Sequence, residues 1–119
     1  MRRENINVGR LGEQLAQQLL ENHGYETVEK NFHTRFGEID LIAKDGETLV
    51  FVEVKTKRGL DFGSPEEMFS KGKMQRVKRM GTVYLQGNEA KCRIDMVAVV
   101  LDRQNQLQRI THYPNVVMW

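Results

Sequence analysis

Apolar residues recur at three- and four-residue spacing near the start of the chain, at Val8, Leu11, Leu15 and Leu19. That period predicts a helix over residues 7–22, with Gly24 placed to end it. Gly12 sits beside the stripe, where a missing side chain would let the helix approach a sheet closely. Further on the pattern changes to strand alternation. Residues 25–35 read as a weak strand, and residues 38–43 and 49–56 as stronger ones, with Val50, Val52 and Val54 forming an apolar face. Lys44-Asp45-Gly46-Glu47 joins the stronger pair, and Asp-Gly at its centre predicts a tight hairpin turn. Ser64-Pro65-Glu66-Glu67 opens a second helical region, with an N-cap serine, proline at the first position and Glu67 closing a capping box. Gly72 divides that region into a short helix and a longer one. Met74, Val77, Gly81 and Tyr84 line the longer helix's buried face, and Gly87 stops it. Residues 93–101 form a strongly apolar strand, and residues 107–113 an edge strand after the Gln104-Asn105 turn. The order α-β-β-β-α-β-β puts a helical crossover between the third and fourth strands, which should therefore run parallel. The expectation is an α/β fold, a mixed sheet flanked by helices.

On the third strand Glu53 and Lys55 share a face with Leu49 and Phe51. With Asp45-Gly46 as the turn, Ile42 opposes Leu49, Asp40 opposes Phe51 and Glu38 opposes Glu53. Glu38, Asp40, Glu53 and Lys55 then project to one side, with Asp40 and Glu53 as diagonal neighbours. A turn of different parity would break this arrangement. Two carboxylates about 4 Å apart repel by roughly 4 kcal/mol at an effective dielectric near 20, so the cluster implies a cation. Hard oxygen donors without nearby His or Cys point to Mg²⁺ or Mn²⁺, not to Zn²⁺. Such an ion polarises a phosphoryl oxygen and acidifies a water. Lys55 would hold or deprotonate that water, or offset charge growing on phosphorus. A lone Glu-x-Lys would read as ordinary edge-strand charges. The preceding Asp and the hairpin make the difference.

At 119 residues the chain is one domain, and 39% apolar with 29% charged residues excludes a disordered chain. Cys92 is alone, which excludes an intrachain disulfide and a zinc ribbon. No apolar leader follows Met1, and the longest apolar run, residues 96–101, is too short to span a bilayer. A cytoplasmic protein without membrane contact is the expectation. The net charge of +2 decides little, but its distribution is uneven: Lys71, Lys73, Arg76, Lys78 and Arg79 crowd the second helix. A basic flank beside an acidic pocket suits a phosphodiester substrate, although a solvated helix face has the same composition.

Gly37-Glu-Ile-Asp-Leu-Ile-Ala43 followed by Val50-Phe-Val-Glu-Val-Lys-Thr56 resembles the YraN family of small bacterial predicted endonucleases. That family belongs to the PD-(D/E)xK nuclease superfamily, which has a restriction-endonuclease-like core, and is related to archaeal Holliday-junction resolvases. The resemblance extends over Gly12-Glu13, Gly24-Tyr25, Lys30-Asn31, Phe62-Gly63-Ser64-Pro65, Lys73, Tyr84-Leu85, Arg93-Ile-Asp95 and His112-Tyr-Pro-Asn115. It implies that Asp40 and Glu53 ligate the metal, that Lys55 is the catalytic lysine, and that Glu13 reaches the metal from the first helix. Two features depart from the family. Ile39 replaces the superfamily's signature proline, and Gly81 and Gly72 are unusual, which would loosen the second helix.

Other residues keep two readings. Glu13 is a ligand or a surface acid, and Glu38 supports the ligands or is a sheet-surface acid. Lys71, Lys73, Arg76 and Lys78 contact phosphate or are merely solvated. Asp95 reads as a structural partner of Arg93, and His23, His33 and His112 have no ligand spacing. Phe32 and Phe36 pack in the core or stack on a base. Trp119 tucks onto the core or covers a dimer partner. Three functions follow: a DNA endonuclease acting on branched or structured DNA, a non-catalytic nucleic-acid-binding module, or a recruiting protein with an apolar patch of Met68, Phe69 and Met74. Analogy with the resolvases favours a homodimer.

Overall fold

The computed structural model describes residues 7–117 and residue 119. Asn7 caps α1 (Val8–Asn22), its side chain accepting the Arg10 N–H at 3.0 Å. Gly24, at φ +90°, turns the chain into β1 (Glu26–Thr34), β2 (Gly37–Asp45) and β3 (Thr48–Arg58). A 3-10 turn (Pro65–Met68), α2 (Lys71–Leu85), β4 (Cys92–Leu101) and β5 (Leu107–Val117) complete the predicted order α-β-β-β-α-β-β. The sheet runs β1-β2-β3-β4-β5. β3 and β4 are parallel, with α2 as their crossover, and every other pair is antiparallel.

Each face of the sheet carries a core. Val50, Val52 and Val54 lie with Leu41, Val97 and Val99 beneath Ala16 and Leu20 of α1. Ile39, Ile42, Leu49, Phe51 and Ile94 lie beneath Met74, Val77 and Met80 of α2. The centre of α1's buried face is Gly12, Ala16 and Leu20, while Val8, Leu11 and Leu15 flank it half-buried. Small residues mark the closest approach: a Cβ on Gly12 would lie 1.8 Å from the Thr56 hydroxyl oxygen.

Three local expectations are corrected. The β2–β3 turn is Gly46-Glu47, because Asp45 pairs with Thr48 and Ile42 with Phe51. This moves the register by two residues, so facing is preserved over the paired residues 41–45 while the opposed partners change. Ser64 makes no side-chain capping bond. Ser70 caps α2 by accepting the Lys73 N–H at 3.2 Å, and Gly72 falls within the first turn. Gly81 does not loosen α2. It makes room for the rings of Phe51 and Trp119, which stack with centroids 5.3 Å apart.

Two polar clamps fix the far edge. Fully buried Asp95 accepts from Arg93 Nε at 3.1 Å, Tyr25 Oη at 3.1 Å and the Asn115 N–H at 2.8 Å, and meets His112 Nε2 at 2.7 Å. Arg93 and Asp95 are thus a structural pair, and His112 belongs with them. Arg109 binds Glu66 through both terminal nitrogens, at 2.6 and 3.0 Å, tying the 3-10 turn to β5.

Candidate active site

β2 stays paired with β1 to Thr34–Gly37, but its ladder to β3 ends at Leu41–Val52. In the gap the Asp40 carboxylate replaces the missing backbone acceptor: the Val54 N–H donates to Oδ2 at 2.7 Å. Extending the register one step sets Asp40 opposite Glu53. Strand alternation also breaks here, since Ile39 packs with the α2-side core and Leu41 with the α1-side core. The acids can therefore be approached from both layers, not from one face alone.

From β1, Asn31 stands between the pairs Lys30–Leu41 and Phe32–Ile39, with a left-handed backbone at φ +53° that asparagine tolerates. Its Nδ2 donates to Glu13 Oε1 at 2.9 Å and to Glu38 Oε1 at 2.6 Å, while its Oδ1 accepts from Arg10 Nη1 at 2.5 Å. One carboxylate oxygen each of Glu13, Glu38 and Asp40 lies within 4.8 Å of the others. Glu53 stands outside that triad, with Oε1 3.3 Å from Lys55 Nζ. His33 Nδ1 lies 3.3 Å from Glu38 Oε2. A cavity of about 220 Å³ opens here, lined by Phe36, Glu38, Glu53, Lys55, Lys73 and Arg76 among others.

Burial, with the nearby charges of Glu53 and Glu13, pushes the Asp40 carboxyl up to about 8, against the Val54 hydrogen bond and Lys55. Burial likewise raises Glu53, opposed chiefly by Lys55. The charge balance of the pocket favours protons or another cation on these acids. Three hard carboxylate donors with no His or Cys in the triad suit Mg²⁺ or Mn²⁺.

Glu13, Glu38, Asp40, Glu53 and Lys55 are thus brought to one place. Glu38 is a member of the triad itself and not only a support behind it. Of the basic residues, Lys73 and Arg76 reach the cavity. Lys71 borders a separate groove with Phe69 and Met74, and Lys78 lies 5.7 Å from the centroid of the Trp119 ring. Of the expected apolar patch, Met74 is buried and Met68 and Phe69 half-buried, and Phe69 and Met74 line that groove with Met96, Val116 and Val117. Asn31 entered the sequence reading only as part of the family resemblance, with no role, and Arg10 did not enter it at all. The available signal was an asparagine inside a strand, where it is disfavoured and marks an irregularity.

Fold and site together define an α/β protein with an acidic, lysine-bearing pocket where two strands of a mixed sheet part. The chain belongs to the UPF0102 (YraN) family, matching the Uncharacterised protein family UPF0102 over residues 12–99. A UPF0102 protein of Dictyoglomus turgidum is 36% identical over 114 residues, covering 93% of this chain and 97% of the relative. One from Syntrophus aciditrophicus is 44% identical over 101 residues, covering 82% and 80%. One from Caldicellulosiruptor saccharolyticus is 40% identical over 111 residues, covering 91% and 94%. The family's description names no activity. No helix among the described residues is long and apolar enough to cross a membrane.

Proposed function

We propose that this protein is a Mg²⁺- or Mn²⁺-dependent endonuclease that hydrolyses phosphodiester bonds in DNA. The observation that carries the reading is the meeting of three carboxylates within 4.8 Å of one another beside the Glu53–Lys55 pair. A stabilising pair would not leave Asp40 with its carboxyl pushed up to about 8. Asp40, Glu13 and Glu38 would hold the ion, with Glu53 adjoining. When bound, the ion supplies Lewis-acid polarisation of a phosphoryl oxygen and acidification of a water. Lys55 orients the attacking water and offsets charge growing on the phosphoryl oxygens. Asn31 fixes the Glu13 and Glu38 carboxylates. Water's oxygen adds to phosphorus and releases one proton to solvent, one P–O ester bond breaks, and the departing oxygen takes up one proton from solvent.

Linear, flapped and four-way-junction DNA incubated with Mg²⁺ or Mn²⁺, beside a Lys55→Ala variant, test this. Divalent-dependent cleavage is expected, and the variant should lose roughly 100- to 1,000-fold in rate, as when one preorganised electrostatic donor is removed. DNA bound but never cut would make the protein a binding module that retains the fold. A variant as fast as wild type would remove Lys55 from the chemistry.

A further inference from the structure

The arginines and lysines of this chain divide by partner. Arg10, Arg93 and Arg109 are each neutralised within the fold. Arg10 lies 3.7 Å from Glu13, Arg93 lies 3.0 and 3.1 Å from Asp45 and Asp95, and Arg109 lies 2.6 Å from Glu66. Among the described residues, none of the ion pairs within 4.0 Å includes Arg35, Lys73, Arg76 or Arg79, nor Lys71 or Lys78, and what sets the first four apart is where they stand. Two of them line the acidic cavity and the other two flank an aromatic ring that lines it. Lys73 and Arg76 line it together with Phe36. The guanidinium carbons of Arg35 and Arg79 lie 4.8 and 5.2 Å from the centroid of the Phe36 ring. The negative face of an aromatic ring attracts such cations, most where water is partly excluded.

Phe36 therefore joins two walls. Arg35 comes from the turn between β1 and β2, and Arg79 from α2. The ring is half-buried while both arginines are exposed, so the brace is fixed and the charges face solvent. Unpaired cations around a floor of carboxylates fit a ligand that is anionic along its length and reaches the floor at one point. A lone phosphate has no use for four cations on two walls. Successive phosphates of one chain do.

We propose that Arg35, Lys73, Arg76 and Arg79, braced by Phe36, form the track along which a nucleic-acid strand lies, delivering one phosphate to Lys55. The inference rests on reading the pocket as a phosphodiester site. It replaces the broad helix footprint of the sequence with a narrower one that includes the hairpin turn and leaves out Lys71 and Lys78. Phe36 is a positioning residue, acting through the two guanidinium groups.

The test is the salt dependence of binding to a labelled oligodeoxynucleotide by fluorescence anisotropy. It is run in EDTA and again with Ca²⁺, an oxygen-seeking ion of the same charge. Each phosphate contact contributes about 0.7 to 0.9 to the slope of log K against log salt. Arg35→Ala/Arg79→Ala should flatten that slope by about 1.4 to 1.8. Phe36→Leu should flatten it in part at an unchanged melting temperature, and Phe36→Tyr should restore it. Lys71→Ala/Lys78→Ala should leave it as in wild type. An unchanged slope in the Arg35/Arg79 variant, equal flattening in the Lys71/Lys78 variant, or no DNA binding in either condition overturns the proposal. Because slopes are read without turnover, a track that binds but never cuts would sink the nuclease reading alone.

Discussion

Asp40 holds a proton in the folded chain over a range where the unfolded chain has released it, from about 3.8 to about 8. A folded-state pKa above the unfolded value makes stability greatest below that window and lowers it as pH rises through it. In EDTA the melting temperature of wild type should therefore fall across this range, and Asp40→Asn should flatten the fall. The amide oxygen can still accept the Val54 N–H, so at neutral pH the variant should be as stable as wild type or up to about 1–2 kcal/mol more stable, one pKa unit being worth about 1.4 kcal/mol. Millimolar Mn²⁺ should reverse the order. Wild type gains about 2.7 kcal/mol at a hundredfold excess over Kd, while a variant lacking one ligand charge gains little. Thermal melts of both proteins, with and without Mn²⁺, check this. A wild type indifferent to metal beside a uniformly weaker variant would mean that Asp40 is structural. Asp40→Ala is the poorer probe, because it orphans the Val54 N–H at a cost of about 1–3 kcal/mol.

At the scale of elements, α2 and the end of the chain meet at Gly81. A Cβ there would lie 2.8 Å from Cε2 of fully buried Phe51 and 2.6 Å from Cη2 of Trp119. Alanine would gain about 1 kcal/mol of helix propensity, against roughly 1–3 kcal/mol for overpacking. Gly81→Ala should thus be destabilised by up to about 2 kcal/mol net. Trp119 is the chain's one tryptophan, so its emission should shift to the red as the ring is displaced from Phe51. A more stable protein with unchanged emission would contradict this packing. The case also marks what pattern reading finds and what it misses. Stripes of large apolar residues located both helices and the buried strands. Gly12 was legible as a point of close approach, and Thr56 of β3 meets it there, whereas Ala16 and Gly81 looked neutral or disruptive, because closeness belongs to the partner surface as much as to the residue.

For the whole molecule, topology was legible because it needed little: two apolar strands with a helix between them are parallel by the handedness and shortness of connections. Asp40, Glu53 and Lys55 were legible because facing survives an even shift of register as far as Leu41, while the expectation of one shared face for all the acids fails between Ile39 and Leu41, where alternation breaks. The opening between β2 and β3 was not. It depends on Asn31 adopting a left-handed backbone and on a side chain taking over a ladder bond, neither of which alternation encodes. β3, carrying Glu53 and Lys55, is third of five strands and covered on both faces. Amides in such a strand exchange with solvent only when the molecule opens globally. Val54 is the exception built into it, because its N–H is held by a carboxylate from the neighbouring strand and not by a carbonyl. In Asp40→Ala the Val54 amide should exchange far sooner than that of Val52, which stays inside the ladder, whereas in wild type the two should exchange together. Equal rates in the variant would assign the protection to burial alone. A single amide in the slowest-exchanging strand thus becomes a clock for the state of the acid that faces it.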